Sequence, residues 1–344
     1  MHVVANAIAP HQNGMVVIMM PHIRVSDRPL SAGASLDGKN AHTFEDLATL
    51  QQRTLYGWKK KALAALLGMM NLILHGVTTP NIVRANTLEE SIKTGVAERF
   101  DIVPTNPPFG GKAVRHIQQN FPGPGNTTGV LFLQHIIKKL NPTANARAAV
   151  VVPKGTLFRS GAFAGVKRIL LDDFHLFAVI RLPPGAFASY SDVKTVLLFF
   201  RRAEGSIVRN PLARYETWHY ELPLPAGLKK FSKGSPILDK HVEEARRRWT
   251  QWKRWLEGEG KRPFLLAAEA HAADKTDNCL YWVETLDDLR ARGYNLSART
   301  PYPGERAPLP RPAGLTARLL ERQRELYAAM ERLHALVSNG EEEE

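Results

Sequence analysis

Asn106, Pro107, Pro108 and Phe109 are consecutive residues that could together hold a planar amine. They follow the apolar run Phe100–Val103, which predicts a strand, and open α/β sheets bind ligands at the carboxyl ends of their strands. The carboxamide oxygen of Asn106 and a neighbouring backbone carbonyl can each accept a hydrogen bond from an exocyclic amino group. The prolines stiffen the loop, and Phe109 offers a flat apolar face on which a base can stack. Such a loop suits an uncharged amine whose nitrogen attacks an electrophilic carbon.

The elements around this loop predict an α/β fold, although a purely structural proline turn capped by Asn106 is the alternative. Short apolar runs alternate with helical stretches, which indicates a mostly parallel sheet with helices on both faces. The helix over Lys59–His75 is apolar almost all round and is expected to be buried. The other predicted elements are strands at Phe100–Val103, Ala148–Val152, Phe177–Leu182 and Val196–Phe200, and helices at Val130–Leu140 and Gly165–Asp173.

The composition excludes some classes of protein and leaves others open. Of 344 residues, 46 are Lys or Arg and 33 are Asp or Glu, so the formal net charge is +13. This charge is typical of proteins that neutralise phosphates. Many basic proteins bind no nucleic acid, however, so the charge alone does not establish nucleic-acid binding. A hydrophobic content of 44% excludes a disordered or collagen-like chain.

Cysteine usage and apolar runs bear on the cellular compartment. The lone cysteine, Cys279, excludes a disulfide framework and a Cys-rich zinc site, and no other metal-ligand spacing occurs, so no metal site is expected. The run Met15–Met20 is too short to span a bilayer, and no Lys or Arg precedes it. We therefore expect a cytoplasmic protein with no membrane partner.

The sequence around the loop resembles the methylation subunit of type I restriction–modification systems, a group of N6-adenine DNA methyltransferases. An isolated Asn-Pro-Pro-aromatic motif also occurs in glutamine-modifying protein methyltransferases, but the extensive resemblance downstream disfavours that alternative. The similar segments occur in family order at Gln52–Gly57, Leu66–Gly76, Ala85–Leu88, Asn106–Phe109, Leu131–His135, Ala149–Pro153, Gly155–Phe158, Arg181–Phe187, Lys194–Phe200 and Gly293–Leu296.

The resemblance implies methyl transfer from S-adenosylmethionine to the N6 amino group of an adenine in DNA. The target base would be flipped out of the duplex, since its amino group is otherwise paired and stacked. Asn106 and the carbonyl of Pro107 would hold the N6 hydrogens, and Phe109 would stack on the ring. Asn86 and Leu88 would lie at the adenine of the cofactor.

The resemblance also implies an assembly and a fold. The partners would be DNA, a specificity subunit that reads the DNA sequence, a second methylation subunit and the restriction subunit. The fold would be a Rossmann-like, S-adenosylmethionine-dependent methyltransferase-like α/β fold, incomplete at its N-terminus and with a C-terminal helical extension.

Two departures from the family pattern concern the cofactor. The family places a glycine-rich turn upstream of the catalytic loop, because the amino-acid moiety of the cofactor lies against exposed backbone, but residues 1–50 contain no Gly-x-Gly. Lys59 stands where the family has an acid that grips the ribose hydroxyls, and an ammonium group cannot accept those hydrogen bonds. The family's N-terminal helical domain is also absent. We therefore expect an impaired copy, and the alternative is an inactive remnant that binds only DNA or a partner.

The chain divides into five predicted segments. Residues 1–42 are atypical and expected to be poorly ordered, residues 43–205 form a partial catalytic domain, and residues 206–300 extend it. Residues 301–312, with five prolines, predict a stiff linker, and residues 313–344 predict a helix and an acidic tail.

Two helical stretches of the C-terminal half carry patterns of their own. Arg246–Arg248 lies beside Trp249, Trp252 and Trp255, which favours an amphipathic helix packed on the sheet over nucleic-acid stacking. In the last helix, over Leu315–Val337, leucines 319, 326 and 333 are spaced by seven. That seam is compatible with a partner helix and with docking inside the chain.

Overall fold

The computed structural model describes residues 17–19, 48, 51–52, 54–93, 96, 98–123, 125–143, 146–187, 193–203, 215–259, 261, 263, 281–297 and 312–341. The chain forms two compact units, residues 1–302 and residues 303–344. The strands are β1 Val17–Met19, β2 Tyr56–Trp58, β3 Asn81–Val83, β4 Ile102–Thr105, β5 Arg147–Pro153, β6 Phe174–Arg181, β7 Thr195–Arg202, β8 Thr217–Glu221 and β9 Tyr281–Glu284. The helices are α1 Ala62–Leu74, α2 Arg115–Gln118, α3 Thr128–Lys139, α4 Ala162–Asp172, α5 Asp239–Leu256, α6 Leu286–Ala291 and α7 Pro312–Glu341.

A six-stranded sheet in the order β4-β5-β7-β6-β8-β9 forms the main body of the first unit. Strands β4, β5, β6 and β8 run in one direction, while β7 and β9 run in the opposite direction. The predicted α/β fold is therefore confirmed, and four of the six strands share one direction. The two reversed strands, which the sequence pattern did not indicate, make the sheet mixed, with three of its five strand pairings antiparallel.

Two hydrophobic cores lie on the opposite faces of this sheet. Along β7, Val196, Leu198 and Phe200 contribute to one core, whereas Phe199 contributes to the other. This alternation follows from the two-residue period of a strand. Helices α3 and α4 pack on the first face and α5 on the second, so helices cover both faces as predicted. All eight residues of β6 are buried.

The tryptophans of α5 pack against the sheet. Trp252 is fully buried, and its indole Nε1 donates a hydrogen bond to the carbonyl of Phe177 in β6 at 2.9 Å. Trp255 is also buried and stacks on Trp252 with ring centroids 4.7 Å apart. The interpretation of this helix as an amphipathic packing helix is confirmed.

A second, three-stranded sheet has the order β1-β2-β3. Strand β2 pairs with β3 in parallel and with β1 in antiparallel orientation. The rings of Tyr56 and Trp58 in β2 lie 5.7 and 5.6 Å from the ring of Phe100, which precedes β4, so aromatic packing joins this sheet to the main core. Strand β1 lies alongside β4 without a ladder between them. Pro104 in β4 lacks an N–H donor, which is typical of a strand at a sheet edge.

The prediction that α1 is buried is wrong. Only Ala65 and Leu72 of this helix are buried, and Leu63 and Leu74 are 68% and 82% exposed. The helix is apolar almost all round, but within the described residues its neighbours cover one side only. Composition alone could not show that the cover is one-sided.

Several sequence predictions lie outside the described residues. These are the linker over residues 301–311 and, apart from Val17–Met19, the N-terminal segment over residues 1–42. The last helix is confirmed as α7, which begins at Pro312, and proline is favoured in the first turn of a helix. Its seam leucines are exposed. Among the described helices, none is both long and apolar enough to cross a bilayer.

Candidate active site

Asn106 is the first residue beyond β4, at the carboxyl end of that strand. Its side-chain oxygen Oδ1 is buried and has no hydrogen-bond partner among the described residues. A buried acceptor without a donor costs about 1–3 kcal/mol, and native structures rarely leave one without a reason. An N–H group of a bound ligand would satisfy this oxygen.

Phe109 and Phe187 form an aromatic pair next to Asn106. The ring of Phe109 is half-buried and meets the ring of Phe187 edge-on, with centroids 5.6 Å apart and planes at 76°. Phe187 belongs to the turn that follows β6, so topology brings it here. The sequence resemblance included Phe187 but assigned it no role, because its nearness to Phe109 depends on strand order. The pair offers a flat apolar surface to a planar ring.

The loop after Phe109 is anchored to the N-terminus of α3. The hydroxyl of Thr128 donates to the carbonyl of Gly110 at 2.7 Å, and the backbone N–H of Thr128 donates to the carbonyl of Gly111 at 3.2 Å. Gly111 has φ +101°, a left-handed conformation that favours glycine. These bonds hold the loop in place before any ligand arrives, which lowers the cost of ordering it on binding.

An open cleft of about 470 Å³ is lined by Gly125, Asn126 and Thr127, which precede α3, and by residues from Phe158 to Phe163. Asn126, which lines the cleft, accepts a hydrogen bond from the backbone of Ala113 at 2.7 Å. The cleft is also lined by Phe158, which is 56% exposed, and by Arg159, whose guanidinium lies 5.6 Å from the ring of Phe163. A cation and an exposed ring in one cleft would suit a nucleotide.

Asn86 and Leu88, predicted to lie at the cofactor's adenine, are engaged within the protein. The side chain of Asn86 caps the short turn Thr87–Glu89, accepting from the N–H of Leu88 at 3.4 Å and donating to Glu89 at 3.0 Å. The side chain of Leu88 is buried in the main core, which leaves only its backbone for a ligand. Asn120 donates to the carbonyl of Leu88 at 3.1 Å and so ties this turn to the segment after α2.

Lys59 lies directly after β2 and is only 5% exposed. Burial, together with the neighbouring charge of Lys61, lowers the pKa of its amine from 10.5 to about 8. The backbone N–H of Lys59 donates to the carbonyl of Val83 at 2.9 Å, so the chain at this position is fixed. A protonated amine offers only hydrogen-bond donors, so Lys59 does not supply the acceptor that the family resemblance leads us to expect at this position.

The direction of β1 also bears on a cofactor site. Val17 pairs with Trp58 and Met19 pairs with Tyr56, so β1 ends beside the beginning of β2. In a Rossmann-type site, the strand that precedes the glycine turn runs parallel to β2. The turn therefore lies near the end of β2. The described residues therefore do not fit S-adenosylmethionine, although they do fit a planar base with an exocyclic amine. In the part of the chain that the structure describes, no group of three or more His, Cys, Asp or Glu could hold a metal ion.

An Asn-Pro-Pro-Phe loop at the end of a strand in a mixed α/β sheet defines the class of amino-group methyltransferases. The sequence model of the N-6 DNA methylase family matches residues 15–307, and the chain belongs to this family. The match begins inside residues 1–42, further toward the N-terminus than the resemblance found in the sequence. The resemblance to type I methylation subunits is confirmed by the individual relatives.

The similar proteins include methylation subunits of type I systems. The chain is 37% identical over 266 residues to the type I restriction enzyme EcoEI methylase subunit of Escherichia coli, a match covering 76% of this chain and 49% of that protein. A chain from a structure on complex assembly and conformational transition of the type I R-M system is 50% identical, with a TM-score of 0.67, covering 87% of this chain and 57% of that one. A modification subunit of a putative type I restriction enzyme from Vibrio vulnificus YJ016 is 33% identical, with a TM-score of 0.62, covering 77% and 51%. The chain spans about half the length of the curated relatives.

The low pKa of Lys59 predicts a specific dependence of stability on pH. Between about pH 8 and pH 10.5 the unfolded chain binds a proton at Lys59 that the folded chain does not. The free energy of unfolding should therefore rise with pH across this window, by up to about 3 kcal/mol. Urea denaturation of the wild type and of Lys59→Met from pH 7 to pH 10.5 should show this rise in the wild type alone.

The neighbouring exposed Lys60 supplies the control. Lys60→Met should keep the pH dependence of the wild type. If Lys59→Met keeps it as well, the buried amine is not its source.

Proposed function

We propose that this chain acts as the methylation subunit of a type I restriction–modification system and holds the amino group of a flipped adenine for N6 methylation. The observation that carries the proposal is the buried, unpartnered Oδ1 of Asn106 at the end of β4. Family membership supplies the substrate class, and the geometry supplies a place for the amine.

Each residue of the loop would have a role toward the base. Oδ1 of Asn106 would accept one N6 hydrogen, and the carbonyl of Pro107 would accept the other. Both hydrogens would then lie in the plane of the acceptors, and the nitrogen would present its lone pair to the methyl donor. Phe109 would stack on the ring, with Phe187 supporting it from the side, and Pro107 and Pro108 would keep the acceptors in register.

S-adenosylmethionine is the methyl donor that family membership implies. The described residues do not fit it, since Lys59 is a buried amine and β1 runs against the direction of β2. We therefore propose that this chain by itself has a target-base half-site and a weak cofactor half-site. The second candidate function, a DNA- or partner-binding module without activity, is favoured by the same two observations.

The proposed partners are those of a type I complex, namely DNA, a specificity subunit, a second methylation subunit and the restriction subunit. Helix α7 offers a surface for one of them. Leu319, Leu326 and Leu333 recur every seven residues along this 30-residue helix and are 68%, 61% and 62% exposed. Exposed leucines at this spacing are typical of a helix that packs against another helix.

The first experiment measures cofactor affinity by calorimetric titration of the full chain with S-adenosylmethionine. We expect little or no heat at tens of micromolar protein, because an acceptor for the ribose and a glycine turn are both missing from the described residues. The longer EcoEI methylase subunit is titrated in parallel for comparison. A dissociation constant in the low micromolar range for this chain would overturn the proposed half-site.

The second experiment tests the role of Asn106 in a form that carries a family glycine turn and an acid at position 59. Asn106→Ala should lower methyl transfer about a hundredfold with cofactor affinity nearly unchanged, because one preorganised acceptor contributes on the order of 3 kcal/mol to the barrier. Phe109→Ala should lose about 1–3 kcal/mol of stacking, and Phe109→Tyr should keep much of it. Tritiated methyl incorporation into DNA measures both effects.

The exposed Asn71 of α1 provides a matched asparagine outside the loop, and Asn71→Ala should retain full activity. Near-normal turnover in Asn106→Ala would show that the catalytic assignment of this loop is wrong.

The third experiment tests the seam of α7. Changing Leu319, Leu326 and Leu333 together to Ala should abolish co-purification with a cognate specificity subunit, because the apolar contact area is lost. The control changes Arg318, Glu325 and Arg332 to Ala, which have the same spacing and lie off the seam. Equal co-purification of both triple variants would exclude the leucine seam as the contact.

A further inference from the structure

A lysine-rich loop lies between β8 and α5. From residue 222 to residue 238 the charged residues are Lys229, Lys230 and Lys233, and no acidic residue stands between Glu221 and Asp239. All three lysines are exposed. We name residues 229–233 the lysine loop. It concentrates three positive charges within five residues.

The backbone of the lysine loop is fixed by Phe231. This residue is 1% exposed, and its N–H donates to the carbonyl of Pro184 at 3.0 Å. The carbonyl oxygen of Phe231 lies so close to Gly185 that a Cβ on that glycine would sit 2.0 Å from it. Ser232 and Ser235 exchange backbone hydrogen bonds of 3.0 and 3.2 Å and close the turn that follows. The three exposed lysines are therefore carried on a held backbone, and Lys230 also interacts with another part of the chain.

The turn that holds the lysine loop also carries Phe187 of the candidate site. Gly185 has φ +78°, and the N–H of Ala186 donates to the carbonyl of Pro183 at 3.3 Å, so the turn is tight. Gly185 precedes Phe187 by two positions, at most about 7 Å of chain, and the ring of Phe187 contacts Phe109. The lysine loop and the catalytic loop thus both contact this one turn.

Other exposed cations lie at the same edge of the sheet. Pro153 pairs with Thr195 and Arg181 pairs with Val196, so the ends of β5 and β6 and the beginning of β7 meet there. Lys154 and Lys194 flank this edge, and the N–H of Lys154 donates to the carbonyl of Lys194 at 2.8 Å. The positive charge therefore extends from the lysine loop along the edge that carries the candidate site.

We infer that the lysine loop binds the phosphate backbone of the DNA next to the flipped adenine. The inference rests on the proposed function, since it takes DNA as the substrate. Lysine is a compact point charge that binds phosphates without reading bases, so the contact would be independent of sequence. The anchored backbone would hold these charges at a fixed distance from Phe109. It would thereby fix the position of the DNA strand relative to the candidate site.

The test measures binding of the full chain to a fluorescent duplex of about 30 base pairs over a series of salt concentrations. Changing Lys229, Lys230 and Lys233 to Gln should weaken binding at least tenfold at low salt and lower the slope of log K against log salt by about two to three. The charge-matched control changes the exposed Lys60, Lys93 and Lys138 to Gln and should leave the slope near that of the wild type.

A second pair of variants tests the anchoring. Gly185→Ala should weaken DNA binding as the lysine variant does, because a Cβ there displaces Phe231 and the loop with it. Gly227 has a similar φ of +80° but open space around it, so Gly227→Ala carries the same backbone strain without displacing the loop. It should bind DNA like the wild type.

The outcomes separate this inference from the proposed function. If the wild type binds no duplex at any salt concentration, the proposed DNA substrate is wrong. If the wild type binds and the two lysine triples behave alike, the lysine loop is not the phosphate contact. If the variant of Lys229, Lys230 and Lys233 keeps its DNA binding but loses binding to an acidic protein partner, the inference is also overturned.

Discussion

The parallel ladder between β4 and β5 is the interaction on which the candidate site depends. It runs from Ile102 paired with Arg147 to Thr105 paired with Val150, so Asn106 is the first residue free of strand pairing. The N–H of Arg147 also donates to the carbonyl of Asp101 at 2.7 Å, which fixes the start of the ladder. On its other side β5 pairs with β7 along its whole length. A slip of one residue would turn every side chain of β4 to the other face, so the ladder determines whether Asn106 faces a ligand.

The sequence predicted the central strands and the helices that cover them, because their apolar residues alternate or recur with a clear period. It did not predict β1, β2, β3, β8 or β9, which are three to five residues long and carry too little periodicity to stand out. The Asn106–Phe109 loop was visible as a motif. The pairing of Phe109 with Phe187 was not, because strand order and not sequence distance brings those two rings together.

The proposed base half-site and the proposed cofactor half-site rest on sheets of very different size. The base half is attached to six strands with cores on both faces, whereas the cofactor half rests on strands of three residues and on an α1 that is largely exposed. The antiparallel direction of β1 is one feature that does not fit the cofactor, and the buried amine of Lys59 is a second. A desolvated cation is costly and cannot accept hydrogen bonds. Among the described residues, the proposed base half therefore has far more supporting structure than the proposed cofactor half.

The turn Pro183–Phe187 places two kinds of contact in a fixed relation. Its glycine has positive φ and no space for a side chain, because the backbone of Phe231 fills the position. One end of the turn therefore fixes a basic loop, and the other end presents Phe187 to Phe109. A flipped base stays attached to its own DNA strand by a backbone of fixed length. An enzyme that holds the base and the DNA backbone must therefore keep the distance between its two contact sites constant. A tight, glycine-dependent turn does this better than a long connection, since it leaves few dihedral angles free to vary.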